Sequence, residues 1–133
     1  MRKVMMILFI GFLGTTLQAQ DKAKIEFKND VIDYGEIAKG SNGVRQFEFT
    51  NTGNAPLVIS KVSSSCGCTI PKKPEEPIAP GATGIIEVKY DTKRVGPFRK
   101  TISVYTNAGE MPKPIKIKGT VLDNTKSVLE KKN

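Results

Sequence analysis

Apolar and polar residues alternate along most of this chain. Ile25 and Phe27 are interleaved with Lys24, Glu26 and Lys28, and Phe47 and Phe49 with Gln46, Glu48 and Thr50. Ile86, Val88 and Tyr90 alternate with Glu87 and Lys89. Phe98, Ile102 and Val104 alternate with Arg99, Thr101, Ser103 and Tyr105, and Ile115, Ile117 and Val121 with Lys116, Lys118 and Thr120. A period of two sends one set of side chains to a core and the other to water, as in antiparallel sheets with one wet face. Leu57-Val58-Ile59 is apolar without alternation and predicts a strand buried more centrally. Turn chemistry separates the runs: Gly35, Lys39-Gly40-Ser41-Asn42-Gly43, Asn51-Thr52-Gly53-Asn54, Pro80-Gly81, Val95-Gly96-Pro97 and Asn107-Ala108-Gly109 read as reversals. Short strands with frequent turns predict an all-β sandwich or barrel. Ser127 to Lys132 tolerates helix but is too short to hold one alone, and Asp123 to Asn133 reads as a polar tail.

The first residues follow a different plan. Arg2 and Lys3 precede an apolar run from Val4 to Leu13, and a small, polar stretch ends at Leu17-Gln18-Ala19. Charged, apolar and cleavable parts in that order predict a secretory signal over residues 1–19, cut after Ala19. The apolar run is far shorter than the ~20 residues that span a bilayer. No cysteine at the cut predicts a lipid anchor. The expectation is an exported protein, periplasmic or at the cell surface, with no membrane span once the signal is removed. One domain's worth of chain remains, enough to bury a core without staples.

Net charge and composition narrow the chemistry. The chain of 133 residues carries +8, and the signal accounts for two of those charges, leaving +6. The lysines are scattered, which favours solubility over a dedicated anion site. Lysines 24, 28, 89, 100, 116 and 118 mostly take outward strand positions, where they also discourage edge-to-edge pairing. Basic and aromatic residues do not interleave as in single-strand binders, so no nucleic-acid partner is expected. Histidine is absent, which excludes Ser-His-Asp and Cys-His catalysis and removes the commonest zinc ligand. Among the carboxylates, Glu75 and Glu76 sit between Pro74 and Pro77 and read as a solvated loop. Asp33, beside Tyr34-Gly35, reads as a turn cap, and Asp30 and Glu36 complete the acidic candidates. Tyr34 and Tyr90 are expected in or at the rim of the core, and Tyr105 on an outward face.

A set of ordered segments completes the picture. These are Ile32-Asp33-Tyr34-Gly35-Glu36-Ile37, Phe47-Glu48-Phe49-Thr50-Asn51-Thr52-Gly53, Ser64-Ser65-Cys66-Gly67-Cys68-Thr69, Ile78-Ala79-Pro80-Gly81 and Val88-Lys89-Tyr90-Asp91. Gly96, the strand from Ile102 to Asn107 and Ile117-Lys118-Gly119-Thr120-Val121 follow. Over roughly Lys24 to Leu122 the chain resembles the bacterial domain-of-unknown-function family 1573, similar to Hydin-type and major-sperm-protein-type immunoglobulin domains. The resemblance implies an immunoglobulin-like antiparallel sandwich of about seven strands over residues 24–122. Related eukaryotic domains are docking modules, so it also implies, by fold analogy, a binding role.

The motif with chemistry in it is Cys66-Gly67-Cys68, and three readings are open. In an extended strand both thiols share a face and pack as small core groups. A disulfide is the second reading: extended, the Cα atoms lie ~6.6–6.8 Å apart, at the edge of bridging range, so a bridge needs the turn that Gly67 permits. A redox role would rest on such a bridge. Lys61, Lys72 and Lys73 would activate a thiol only by folding back onto it. Copper(I) is the third, since two thiolates fall short of a structural zinc set. The connection Ser63 to Pro77, with Cys66, Gly67, Cys68, Lys72, Lys73, Glu75 and Glu76, is the expected binding loop. The function expected is a non-catalytic binding or accessory module, monomeric or weakly associating, with no cofactor, for an envelope protein or glycan. The alternative is a thiol-redox or copper(I)-handling protein centred on Cys66 and Cys68.

Overall fold

The computed structural model describes residues 21–123. The expected signal, 1–19, and the tail beyond Asp123 lie outside the described residues. Among the described residues, eight strands form two four-stranded sheets: β1 (Ile25–Phe27), β2 (Val31–Ala38), β3 (Val44–Asn51), β4 (Ile59–Ser64), β5 (Thr69–Lys72), β6 (Thr83–Tyr90), β7 (Gly96–Thr106) and β8 (Lys113–Leu122). One sheet has the order β1-β3-β6-β5 and the other β2-β8-β7-β4. Every pairing is antiparallel except β2 with β8, which run parallel in register Ile32↔Ile117 and Ile37↔Val121.

The alternating residues make the core. Phe47, Phe49, Ile86 and Val88 face Ile102, Val104, Ile115, Ile117 and Val121 across the two sheets, all essentially excluded from water. Burying each of these is worth about 1.5–3 kcal/mol, which is what orders so many short strands. At one end the core is aromatic: the Tyr90 and Phe98 rings stack at 3.9 Å, with Tyr34 edge-on to Phe98 at 5.2 Å. Lys100 takes the inward parity between Phe98 and Ile102 and is half-buried, the exception among the outward lysines.

Three local expectations are corrected. Gly35 does not reverse the chain. It sits inside β2 with a left-handed φ of 65°, where the register slips between Asp33 and Glu36. Asp33 Oδ1 accepts the Gly35 N–H at 2.8 Å, so the cap that the sequence suggests serves a bulge. Leu57-Val58-Ile59 is not central. Leu57 and Ile59 are buried but Val58 between them is 42% exposed, so the segment alternates, and β4, which it enters, is an edge strand. Ser63 to Pro77 is not one loop, since it contains the end of β4 and all of β5. The short β5 escapes a pattern search because its outward residue, Ile70, is apolar and its next is Pro71.

Tyr34 links the fold to pH. Its hydroxyl donates to the Gly43 carbonyl at 2.8 Å, and burial pushes its pKa from 10.0 up to about 12, partly offset by the Arg45 guanidinium 4.2 Å above the ring. The folded state thus holds the phenol's proton more tightly than the unfolded chain. Stability from this group is intact below pH ~10 and drains away as pH rises toward ~12. A loss of order 1–2 kcal/mol is expected over that window, allowing for residual solvent screening. Urea midpoints across the window should fall less steeply for Tyr34→Phe.

Candidate functional site

The Cys-Gly-Cys element is the turn that carries the chain from the edge of one sheet to the edge of the other. β4 ends at Ser64, whose Oγ accepts the Cys66 N–H at 3.2 Å, and Ser65 N–H reaches the Thr101 carbonyl at 3.2 Å. The chain then folds back, with Thr69 N–H on the Cys66 carbonyl at 3.2 Å and β5 beginning at once. That turn draws the two Cα atoms to 5.3 Å, and the cysteines are joined as a disulfide. The reading of two free thiols on one face of an extended strand is therefore corrected: the backbone is not extended here. The bridge closes a three-residue loop, which removes little freedom from the unfolded chain, about 1.6 kcal/mol in the chain-entropy account.

The two sulfurs have unlike surroundings. Cys68 is buried at 7% exposure, with Thr69 Oγ1 at 3.8 Å from its Sγ. Cys66 is half-buried, and its Sγ accepts the Cys68 N–H at 3.2 Å and an Arg94 Nη1–H at 3.8 Å. Arg94 arrives from the turn after β6, which is fastened to this loop by Asp91 N–H on the Cys68 carbonyl at 2.9 Å. Lys61, Lys72 and Lys73, the cations that the sequence offers, are not among the groups bonded to the sulfurs. Arg94 was not legible because 28 residues separate it from Cys66.

Beside the bridge lies a cleft of ≈ 600 Å³ on the outer face of the β1-β3-β6-β5 sheet. Loop residues 40–43, the 67–68 turn and residues 90–93 wall it, and Val44, Lys89 and Ile70 lie side by side in register at its floor. Ile70 is 64% exposed, a β-branched apolar side chain held in water. The cleft unites Gly67 and Cys68 with residues from three other segments. It does not include Lys72, Lys73, Glu75 or Glu76. Lys72 is at the far end of β5 opposite Glu87, Lys73 pairs with Glu75 at 3.9 Å, and Glu75 and Glu76 are exposed. Asp33 and Glu36 border a second hollow of ≈ 520 Å³ with Arg99 and Lys118. No group of metal ligands is found among the described residues.

The outer margin of β5 offers no free N–H for further pairing at Thr69 or Pro71. Cys68 turns its carbonyl toward β6, so by alternation Thr69 and Pro71 turn their backbone groups outward. Thr69 N–H is already used by Cys66, and proline has no N–H.

Residues 25–121 match the family described as "Protein of unknown function (DUF1573)". The chain belongs to DUF1573. No curated protein matches it. Solved structures share the DUF1573 fold at low identity. A protein of unknown function from Porphyromonas gingivalis is 20% identical with a TM-score of 0.68, over 80% of this chain and 50% of its own. The chain thus spans half of that protein's length. The PapD-like domain 7 of human CEP192 is 10% identical with a TM-score of 0.63, over 87% of this chain and 97% of that one. The CsuC-CsuE chaperone-tip adhesion subunit complex of Acinetobacter baumannii matches at 13% and 0.55, over 84% and 66%. At such identities the likeness is one of fold, an all-β sandwich of the immunoglobulin-like, PapD-like kind.

Proposed function

We propose that this DUF1573 domain is a non-catalytic, protein-binding module of the cell envelope, exported by its first 19 residues, and that it holds its partner in the cleft beside the Cys66–Cys68 turn. The observation that carries the reading is the floor of that cleft, where Ile70 and Val44 flank Lys89 and three loops rise around them. An apolar anchor with a cation beside it, walled by loops, is the kind of site on which a few residues dominate binding. The fold shared with a pilus chaperone complex supports an envelope setting. The signal-like start supports export. The partner is a protein rather than a glycan, because Ile70 and Val44 bring apolar surface where sugar recognition would call for hydrogen-bonding side chains.

The mature chain, immobilised, should capture a partner from an envelope extract. Ile70→Asp with Lys89→Glu should weaken capture by about 2 kcal/mol or more, roughly thirtyfold, while leaving the thermal midpoint nearly unchanged. Glu75→Ala with Glu76→Ala should leave capture intact. Full capture by the cleft variant, or loss in the glutamate variant, would move the site elsewhere.

A further inference from the structure

We propose that the Cys66–Cys68 bridge is a thiol–disulfide exchange site, in which Cys66 is the sulfur that joins a partner thiol. The inference stands apart from the docking reading, since small thiols probe it with no partner protein present. A failed capture and a failed exchange are separate results.

Three observations converge on Cys66. It is the less buried residue of the two. Its sulfur receives two N–H donors, one from the Arg94 guanidinium and one from the Cys68 backbone, whereas the Cys68 sulfur is buried beside a hydroxyl. Cations and amide N–H groups aimed at a sulfur favour its thiolate, and burial opposes it, so on reduction the negative charge belongs on Cys66. Finally, the loop that the bridge closes is too small to be a strong staple, and the ladders of β4 with β7 and of β5 with β6 hold both cysteines in place without it. The bridge can open while the sandwich stands.

The reaction partner is a dithiol. One of its thiolates, drawn toward Arg94, attacks Cys66 Sγ. A new S–S bond forms there, the Cys66–Cys68 bond breaks, and its electron pair leaves on Cys68 Sγ, which takes up a proton. The partner's second thiolate then attacks the partner sulfur of the mixed disulfide. The partner's own disulfide closes and Cys66 departs as a thiolate, held by Arg94 and the Cys68 N–H. The dithiol is oxidised by two electrons and the cysteine pair is reduced by two. Of the two protons that the dithiol gives up, one ends on Cys68 and the other in solvent. One bridge per chain makes the exchange stoichiometric, with the mixed disulfide at Cys66 as its intermediate.

The test uses the full chain in single-cysteine forms, Cys68→Ser retaining Cys66 and Cys66→Ser retaining Cys68, with iodoacetamide and oxidised glutathione as probes. At neutral pH, Cys66 should alkylate at least about tenfold faster than Cys68, and it alone should form the glutathione mixed disulfide, read by intact mass. Adding Arg94→Gln should slow Cys66 by about three- to tenfold and move its alkylation profile to higher pH, while Arg94→Lys should hold the profile. Equal reactivity of the two cysteines, or a profile unmoved by Arg94→Gln, would overturn the proposal. Where a single-cysteine form does not fold, the intact bridge decides. Reduced glutathione should open it in the folded protein more slowly in Arg94→Gln than in the parent, and equal rates, or opening only after unfolding, sink the idea.

Discussion

Replacing Asn51 by alanine should destabilise the sandwich by about 3 kcal/mol and lower its thermal midpoint by about 15 °C, a larger effect than most core truncations to alanine of similar volume. Asn51 is fully buried at the end of β3. Its Nδ2 donates to the Ala55 carbonyl at 2.8 Å and to the Ile78 carbonyl at 2.9 Å. Its Oδ1 accepts Gly53 N–H at 3.0 Å and Lys24 N–H at 3.3 Å. One side chain thus ties the segment entering β1, the turn after β3 and the approach to β6. Alanine leaves these backbone groups without partners in a place that water does not reach, at about 1–3 kcal/mol each for those that stay unsatisfied. Asn51→Asp keeps the volume but sets a carboxylate oxygen against two carbonyls, and should cost at least as much. Urea unfolding of both variants checks this, and a loss below about 1 kcal/mol in either would remove Asn51 from that role.

The second large effect is expected at Gly43. A Cβ there would stand against the Tyr90 backbone carbonyl, with Thr92 Cγ2 at 3.0 Å. The Tyr90 carbonyl is strand backbone and cannot swing aside as a flexible side chain would. The carbonyl of Gly43 is also engaged twice, by Tyr90 N–H at 3.0 Å and by the Tyr34 hydroxyl at 2.8 Å. Gly43→Ala should therefore cost about 3 kcal/mol or more, by prising β3 from β6 where the cleft begins. Gly40→Ala, three residues earlier in the same loop, tests the contrast. Gly40 has a φ of 80° and open space around its Cα, so its cost should be the left-handed penalty of about 1–2 kcal/mol. Equal losses at the two sites would refute the steric account of Gly43.

These two positions show how far the sequence could be read. Asn51-Thr52-Gly53-Asn54 and the run from Lys39 to Gly43 are both legible as turns, and both are turns. That Asn51 is a hub depends on carbonyls 4 and 27 residues away. That Gly43 must lack a side chain depends on where Tyr90 comes to rest. Period-two alternation located β1, β3, β6, β7 and β8 because each has one face in the core. It passed over β2, whose Gly35 bulge breaks the period, and β5, which has four residues and an exposed isoleucine. For the site, Cys66, Gly67 and Cys68 were visible as a motif. Lys72, Lys73, Glu75 and Glu76 were grouped with them by proximity in sequence, and β5 carries them away from the cleft. Arg94, Lys89 and the loop 40–43 join the cysteines through strand pairing, which composition does not encode.

The parallel pairing of β2 with β8 has a consequence for how the molecule is made. Ile32 and Ile117 are neighbours in the sheet although almost the whole domain lies between them. Closing so long a loop is entropically costly until the intervening strands are in place, and contacts of this separation slow folding. A nascent chain emerging from the ribosome therefore has β2 without its partner until β8 has been synthesised. Until then Tyr34, Ile32 and Ile37 have no finished core to enter, and the sandwich stays open until its eighth strand is made.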